Sequence, residues 1–100
     1  MNDYILLMRN DATDMQAAND PQRWEAYLTQ LRSTGRFDGG SEIAGGERIR
    51  KGQAPQPCVD DLGGYLRVRA DSLEGARQFL AGNPVYEAGG TVELRELPRT

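Results

Sequence analysis

Tyr65-Leu66-Arg67-Val68-Arg69-Ala70 runs directly into Asp71-Ser72-Leu73-Glu74-Gly75-Ala76-Arg77-Gln78-Phe79-Leu80-Ala81-Gly82, and the join between the two halves decides the fold. The first six residues alternate strictly, with Leu66, Val68 and Ala70 on one side and Tyr65, Arg67 and Arg69 on the other. That is the period of a strand with one buried and one polar face. The remainder changes period. Asp71 and Glu74 form an Asp-x-x-Glu capping box, Leu73, Ala76, Phe79 and Leu80 make the apolar stripe of a helix, and Gly82 closes it. A strand that feeds straight into a helix needs further strands on either side of it.

Downstream, Asn83-Pro84 forbids continuation of the helix, and Asn83 can bond the turn backbone with its side chain. Thr91-Val92-Glu93-Leu94-Arg95-Glu96-Leu97 is then a second alternating strand, stopped by Pro98. Upstream, residues 35–64 hold 8 of the 12 glycines and two of the five prolines. The pairs Gly39-Gly40, Gly45-Gly46 and Gly63-Gly64 read as turns in a long loop, with one short strand near Ser41–Ala44. Before that loop, Asn19 or Asp20 caps a helix that has Pro21 at its first position, carries Trp24, Tyr27, Leu28 and Leu31 on one face, and ends at Gly35. At the start, Tyr4 to Arg9 is apolar on both faces, as a central strand would be. The order β-α-β-loop-β-α-β is that of an α+β, ferredoxin-like βαββαβ sandwich, with two helices on one face of an antiparallel sheet. The other face, with Arg67, Arg69, Glu93, Arg95 and Tyr65, is left bare, and a bare half-apolar sheet on a small chain predicts a homodimer.

The 100 residues are expected to form one domain, residues 1–100, and their 38% apolar and 27% charged composition is ordinary for a globular chain. No apolar stretch exceeds five residues, Asp3 stands where a secretory leader would be basic, and the chain reads as cytoplasmic with no membrane partner. A net charge of −3 gives no attraction to nucleic acid. One cysteine, Cys58, and no histidine exclude a disulfide within the chain and a structural zinc site, and no metal or other cofactor is expected. Without histidine, any catalysis would fall to Tyr, Lys, Arg, Cys or a carboxylate such as Glu87. Cys58, flanked by Asp60 and Asp61, has no nearby base and is expected to be inert.

Several stretches together resemble the YCII-related family, which includes proteins named for a DGPF motif. These are Tyr4-Ile5-Leu6-Leu7-Met8-Arg9, Gly35-Arg36-Phe37 with Gly39-Gly40, Gly64-Tyr65 through Ser72-Leu73-Glu74, Gly82-Asn83-Pro84-Val85, and Gly89-Gly90-Thr91-Val92-Glu93-Leu94-Arg95. The resemblance implies a dimeric α+β barrel, in which two sheets pack face to face, with a ligand cleft. Where some members have a facing His and Asp, this sequence has Trp24 and Asn83, neither of which moves a proton at neutral pH. Pro57-Cys58-Val59-Asp60-Asp61-Leu62 replaces the DGPF tetrapeptide.

The chain is therefore expected to hold a small anionic metabolite, as a binding protein or a minor enzyme, and the loss of the His/Asp pair weighs against catalysis. The candidate ligand-binding residues are Arg9, Trp24, Tyr65 and Asn83 around a cleft, and Arg67, Arg69 and Arg95 on the bare face. Guanidinium groups suit carboxylate and phosphate. Each has a plainer reading beside it. Trp24 on an apolar stripe packs the helix on the sheet, and the arginines with Glu93 form cross-strand and cross-dimer ion pairs. The alternatives are a non-catalytic interaction or regulatory module, since domains of this family also occur joined to sigma-factor-like proteins, and an enzyme that uses Tyr or a carboxylate.

Overall fold

The doubly apolar run near the N-terminus organises the computed structural model, which describes residues 1–99. Along the chain come β1 (Asn2–Arg9), α1 (Met15–Ala18), α2 (Pro21–Ser33), β2 (Phe37–Glu42), β3 (Glu47–Arg48) and β4 (Gln56–Pro57). They are followed by β5 (Leu62–Ala70), α3 (Leu73–Arg77) with a 3-10 turn at Gln78–Leu80, α4 (Pro84–Glu87) and β6 (Val92–Leu97). β1 pairs antiparallel with β5 on one side and β6 on the other, and β2 adds outside β5, so the sheet order is β2-β5-β1-β6. Both faces of β1 are apolar because this strand has neighbours on both sides. Tyr4, Leu6 and Met8 are buried beneath the helices, while Ile5 and Leu7 look out half-buried between Arg67, Arg95, Tyr65 and Glu93. The α+β, ferredoxin-like sandwich is the observed fold, and one face of its sheet is without helices.

The core lies where the alternation puts it, with Leu66, Val68 and Ala70 of β5 meeting Tyr27 and Leu31 of α2 and Ala76 of α3. α2 starts as expected, with Asp20 as N-cap, Pro21 in the first turn and Gly35 in the left-handed region at φ 70° after the last turn. Several local expectations are corrected. α3 is capped by Ser72, whose hydroxyl accepts from the Gly75 N–H at 3.0 Å, and not by Asp71. Leu73 then falls outside the stripe and is 45% exposed. Asn83-Pro84 ends one helix and also opens the short α4, with Asn83 as N-cap and Pro84 in the first turn. The polar segment after β1 holds a further turn of helix, α1, whose N-cap Asp14 accepts from the Ala17 N–H at 3.0 Å.

The largest correction concerns the glycine pairs. Gly45-Gly46 lies between strands as expected, but Gly39-Gly40 is inside β2 and Gly63-Gly64 is inside β5. β2 accordingly starts at Phe37, earlier than the short strand expected at Ser41–Ala44, and a bulge at Gly39 (φ 95°) breaks its register between Phe37 and Gly40. A side chain cannot be added at Gly40, because its Cβ would collide with the Tyr65 carbonyl. Between β2 and β5 the chain continues as a separate two-stranded ribbon, β3-β4, where glycine and proline content alone predicts a loop.

The corrected cap has a simple test. Ser72→Ala is expected to cost about 1 kcal/mol, a loss of ~4–8 °C in Tm for a domain of this size. Asp71→Ala should stay within about 0.5 kcal/mol of the parent. Thermal melts of both variants check this, and the opposite ranking would restore Asp71 as the cap.

Candidate functional site

α2 crosses the sheet so that its apolar stripe divides. Tyr27 and Leu31 reach the core, whereas Trp24 and Leu28 stay half-buried over β2 and β5. Beneath them the sheet offers Gly40 and Gly64, both in register with core-facing residues, Leu66 and Met8 respectively. With no side chain at Gly64, where a Cβ would come within 3.3 Å of Met8 Cε, a cavity of about 830 Å³ is left between helix and sheet, and Gly40 borders it. That volume lies in the ~300–1,000 Å³ range of small-molecule sites. Trp24, Leu28, Phe37, Met8, Leu66 and Val85 give it apolar walls, and Arg9, Arg32, Glu42, Asn10 and Asn19 supply polar groups.

Trp24 serves both of the roles open to it. Its indole N–H donates to the Ala18 carbonyl at 2.7 Å, and its ring meets Tyr27 edge-on at 5.9 Å and 76°, so one face is held against the protein while the ring lines the cavity. Arg9 sits where the β1–β5 register shifts, and it bonds Glu93 through Nε and a terminal nitrogen and Asp61 at 3.4 Å. The Glu93 carboxyl is held below its usual range by those bonds from Arg9, with Arg95 adding to the effect, and Arg9 is correspondingly raised. Its charge is largely answered within the chain. Arg32, by contrast, has no carboxylate within 4 Å among the described residues.

The other candidates lie elsewhere. Tyr65 contributes to the cavity lining, but its register opposite Leu7 and Ser41 directs its ring to the bare face. Asn83 is fully buried behind the cavity. Its amide donates to Met8 Sδ at 3.6 Å, and its carbonyl oxygen accepts from the Tyr86 N–H at 3.0 Å. Arg67, Arg69 and Arg95 stand on the opposite side of the sheet and do not meet this cavity. Arg69 is committed to Asp38 and the Gly35 carbonyl, and Arg95 to Glu93, which is the ion-pair reading of that face. Arg67 has no ion pair among the described residues.

The residues that could move a proton are mostly engaged. Burial pushes the Tyr27 phenol up, and its hydroxyl donates to the Phe79 carbonyl at 2.6 Å. Tyr4 is core, and Glu87 accepts from the Gly82 N–H at 2.9 Å outside the cavity. Glu42 is the one carboxylate in the lining. No group of three or more His, Cys, Asp or Glu is placed to hold a metal among the described residues. No helix among them is long and apolar enough to cross a membrane.

Gly40, Gly64, Phe37, Leu28 and Arg32 join the site without having been singled out by the sequence reading. Leu28 and Arg32 follow Trp24 at i+4 and i+8 on the same helix face, which is a signal present in the sequence. The glycines gave no signal beyond a turn.

No protein-family model matches the chain, and no curated protein matches it. Among solved structures, one that matches is 5-chloro-2-hydroxyhydroquinone dehydrochlorinase (TftG) from Burkholderia phenoliruptrix AC1100, in complex with 2,5-dihydroxybenzoquinone. The fold is shared. The TM-score is 0.59 over 98% of this chain and 95% of that one, at 14% identity. A likeness at that identity is one of architecture, and it agrees with the α+β sandwich expected from the strand and helix order.

Proposed function

We propose that this chain is a YCII-related protein that pairs into a dimeric α+β barrel through its bare sheet faces and binds a small, flat, anionic metabolite in the cavity under Trp24. The single observation that carries the reading is the cavity itself, lined by two in-strand glycines and roofed by an indole. An aromatic wall on one side and a glycine floor on the other suit a planar ring, and Arg32 suits an acidic group on it. The similar structure of TftG holds a dihydroxybenzoquinone, which is a flat and acidic molecule, and so supports this choice of ligand class. Catalysis is not part of the reading, because the lining offers one carboxylate, Glu42, and no histidine, and the Tyr65 ring is directed by its register to the opposite face of the sheet.

Trp24 is the only tryptophan, so its emission reports on the cavity alone. Titration with 2,5-dihydroxybenzoquinone and with simple hydroxybenzoates, followed by fluorescence and by calorimetry, is expected to give saturable binding. Arg32→Gln should weaken it about tenfold, the effect of one charge-assisted contact. Absence of binding up to millimolar ligand, or binding indifferent to both Arg32→Gln and Trp24→Phe, would overturn the assignment.

A further inference from the structure

Every residue from Ala44 to Asp61 is exposed, and Ile49 (78%) and Val59 (80%) are the most exposed large apolar side chains in the molecule. They sit on the β3-β4 ribbon. Its register pairs Glu47 with Pro57 and Arg48 with Gln56, and Cys58 extends it by donating to the Gly46 carbonyl at 2.9 Å. Alternation about that register places Ile49, Pro55, Pro57 and Val59 on one face, with Glu47 beside them, and Arg48, Gln56 and Cys58 on the other. The ribbon thus has a mainly apolar face and a polar one, and nothing in its own chain covers the apolar side.

A two-stranded ribbon alone in water is marginal at best, so this one needs a surface to rest on. The chain as a whole is also more extended than a compact domain, with extents of 46 × 38 × 18 Å. The radius of gyration is 14.9 Å, against about 13 Å for a compact domain of this length.

We infer that residues 46–59 are an arm that clasps a second copy of this chain, each arm lying along its partner's body. The inference rests on the two-fold dimer proposed above, and two observations select the partner. One is area. Four strands spaced ~4.8 Å apart and about eight residues long give a sheet face of roughly 500 Å², and β2 and β6 are shorter than that. A stable interface takes ~800 Å² of accessible surface from each partner, which a corrugated sheet face of that plane area only about meets, and the arms add apolar surface to it. The other is charge. Glu47 against Arg48, Arg50 and Lys51 gives the arm +2, which leaves −5 for the rest of a chain whose net charge is −3. None of those three arm cations has an ion pair among the described residues. An arm of one sign on a body of the other is attractive between copies, and a two-fold axis satisfies both arms at once.

The test is sedimentation equilibrium of the parent, of Ile49→Asp/Val59→Asp, and of Arg48→Gln/Arg50→Gln/Lys51→Gln. Because the arm lies outside the core, circular dichroism should match the parent in both variants. The dimer dissociation constant is expected to rise at least tenfold in the apolar variant. In the charge variant it should rise and lose most of its salt dependence. Hydrogen exchange of amides 46–59 should be slowed at concentrations that favour the dimer and fast on dilution. A parent dimer unaffected by either variant but broken by Leu7→Lys on the sheet face would overturn the arm and leave the barrel dimer standing. A parent that runs as an 11.1 kDa monomer would overturn both. So would an arm that binds duplex DNA at physiological salt while the parent stays monomeric.

Discussion

Asn83→Asp is expected to lose about 3 kcal/mol of stability relative to the parent at pH 7 and almost nothing at pH 4. The site is fully buried, its amide N–H faces Met8 Sδ, and no cation is bonded to it. A carboxylic acid fits the same space, accepts from the Tyr86 N–H and donates to sulfur. A carboxylate must leave water for a thioether. The folded-state pKa of the introduced acid would therefore rise above the unfolded value of ~3.9, and a rise of two units is worth ~2.7 kcal/mol. Below the unfolded value both states are protonated and there is no penalty. It grows as the pH climbs towards the raised folded value and levels off beyond it. Urea titrations of the two proteins at pH 4 and pH 7 measure the difference directly. A penalty independent of pH would mean that the cap geometry, and not the buried charge, sets the cost. The same result bears on Trp24→His with Asn83→Asp, the change that would recreate the pair implied by the resemblance. That pair would carry its acid behind Met8, out of reach of a ligand in the cavity.

Gly64→Val is expected to abolish ligand binding in the Trp24 titration, by a hundredfold or more, with the far-UV spectrum intact. A Cβ at residue 64 would lie 3.1 Å from the Ser41 carbonyl oxygen and 3.3 Å from Met8 Cε, which is close but tolerable after small shifts. The branched methyls beyond it project from the floor of the cavity into the volume a ring would occupy. Overpacking of this kind costs about 1–3 kcal/mol, leaving a folded protein to assay. Binding that survives Gly64→Val would move the ligand away from this cavity.

Much of this architecture could be read from residue order. The strict alternation of Leu66, Val68 and Ala70 and the two-sided greasiness of Tyr4 to Met8 placed the central strands, because burial on one or both faces leaves a direct mark on composition. Trp24 could be assigned to the helix face for the same reason. The cavity could not be seen, since it depends on how α2 lies over the paired strands β2 and β5. Gly39-Gly40 and Gly63-Gly64 look the same in sequence as Gly45-Gly46, which does lie between strands. What distinguishes them is the strand that each one faces, and that is a tertiary fact. Arg67, Arg69 and Arg95 share one sheet face, as the alternation of their strands implies. Their separation from Trp24 follows from the sheet standing between them, which a list of charges does not reveal. Likewise, Ser72 and Asp71 are both good caps, and only the backbone after β5 chooses between them.

The central strand is also the first one made. β1 finds its neighbours in β5 and β6, so Tyr4 to Met8 must wait for residues 62–70 and then 92–97 before either edge is paired. At a translation speed of ~5–20 residues per second, the last partner follows the first strand by roughly 5–20 s. Throughout that interval the most apolar segment of the nascent chain is an open template for another strand. Contacts so distant in sequence also close slowly once synthesis is finished. Reordering the strands should relieve this, because Asp3 and Arg99 already meet at 2.7 Å and a short link could run from residue 99 back to residue 3. A circular permutant opened at the exposed tip of the β3-β4 ribbon would make β5, β6 and β1 in succession. It should give more soluble protein per ribosome than the natural order.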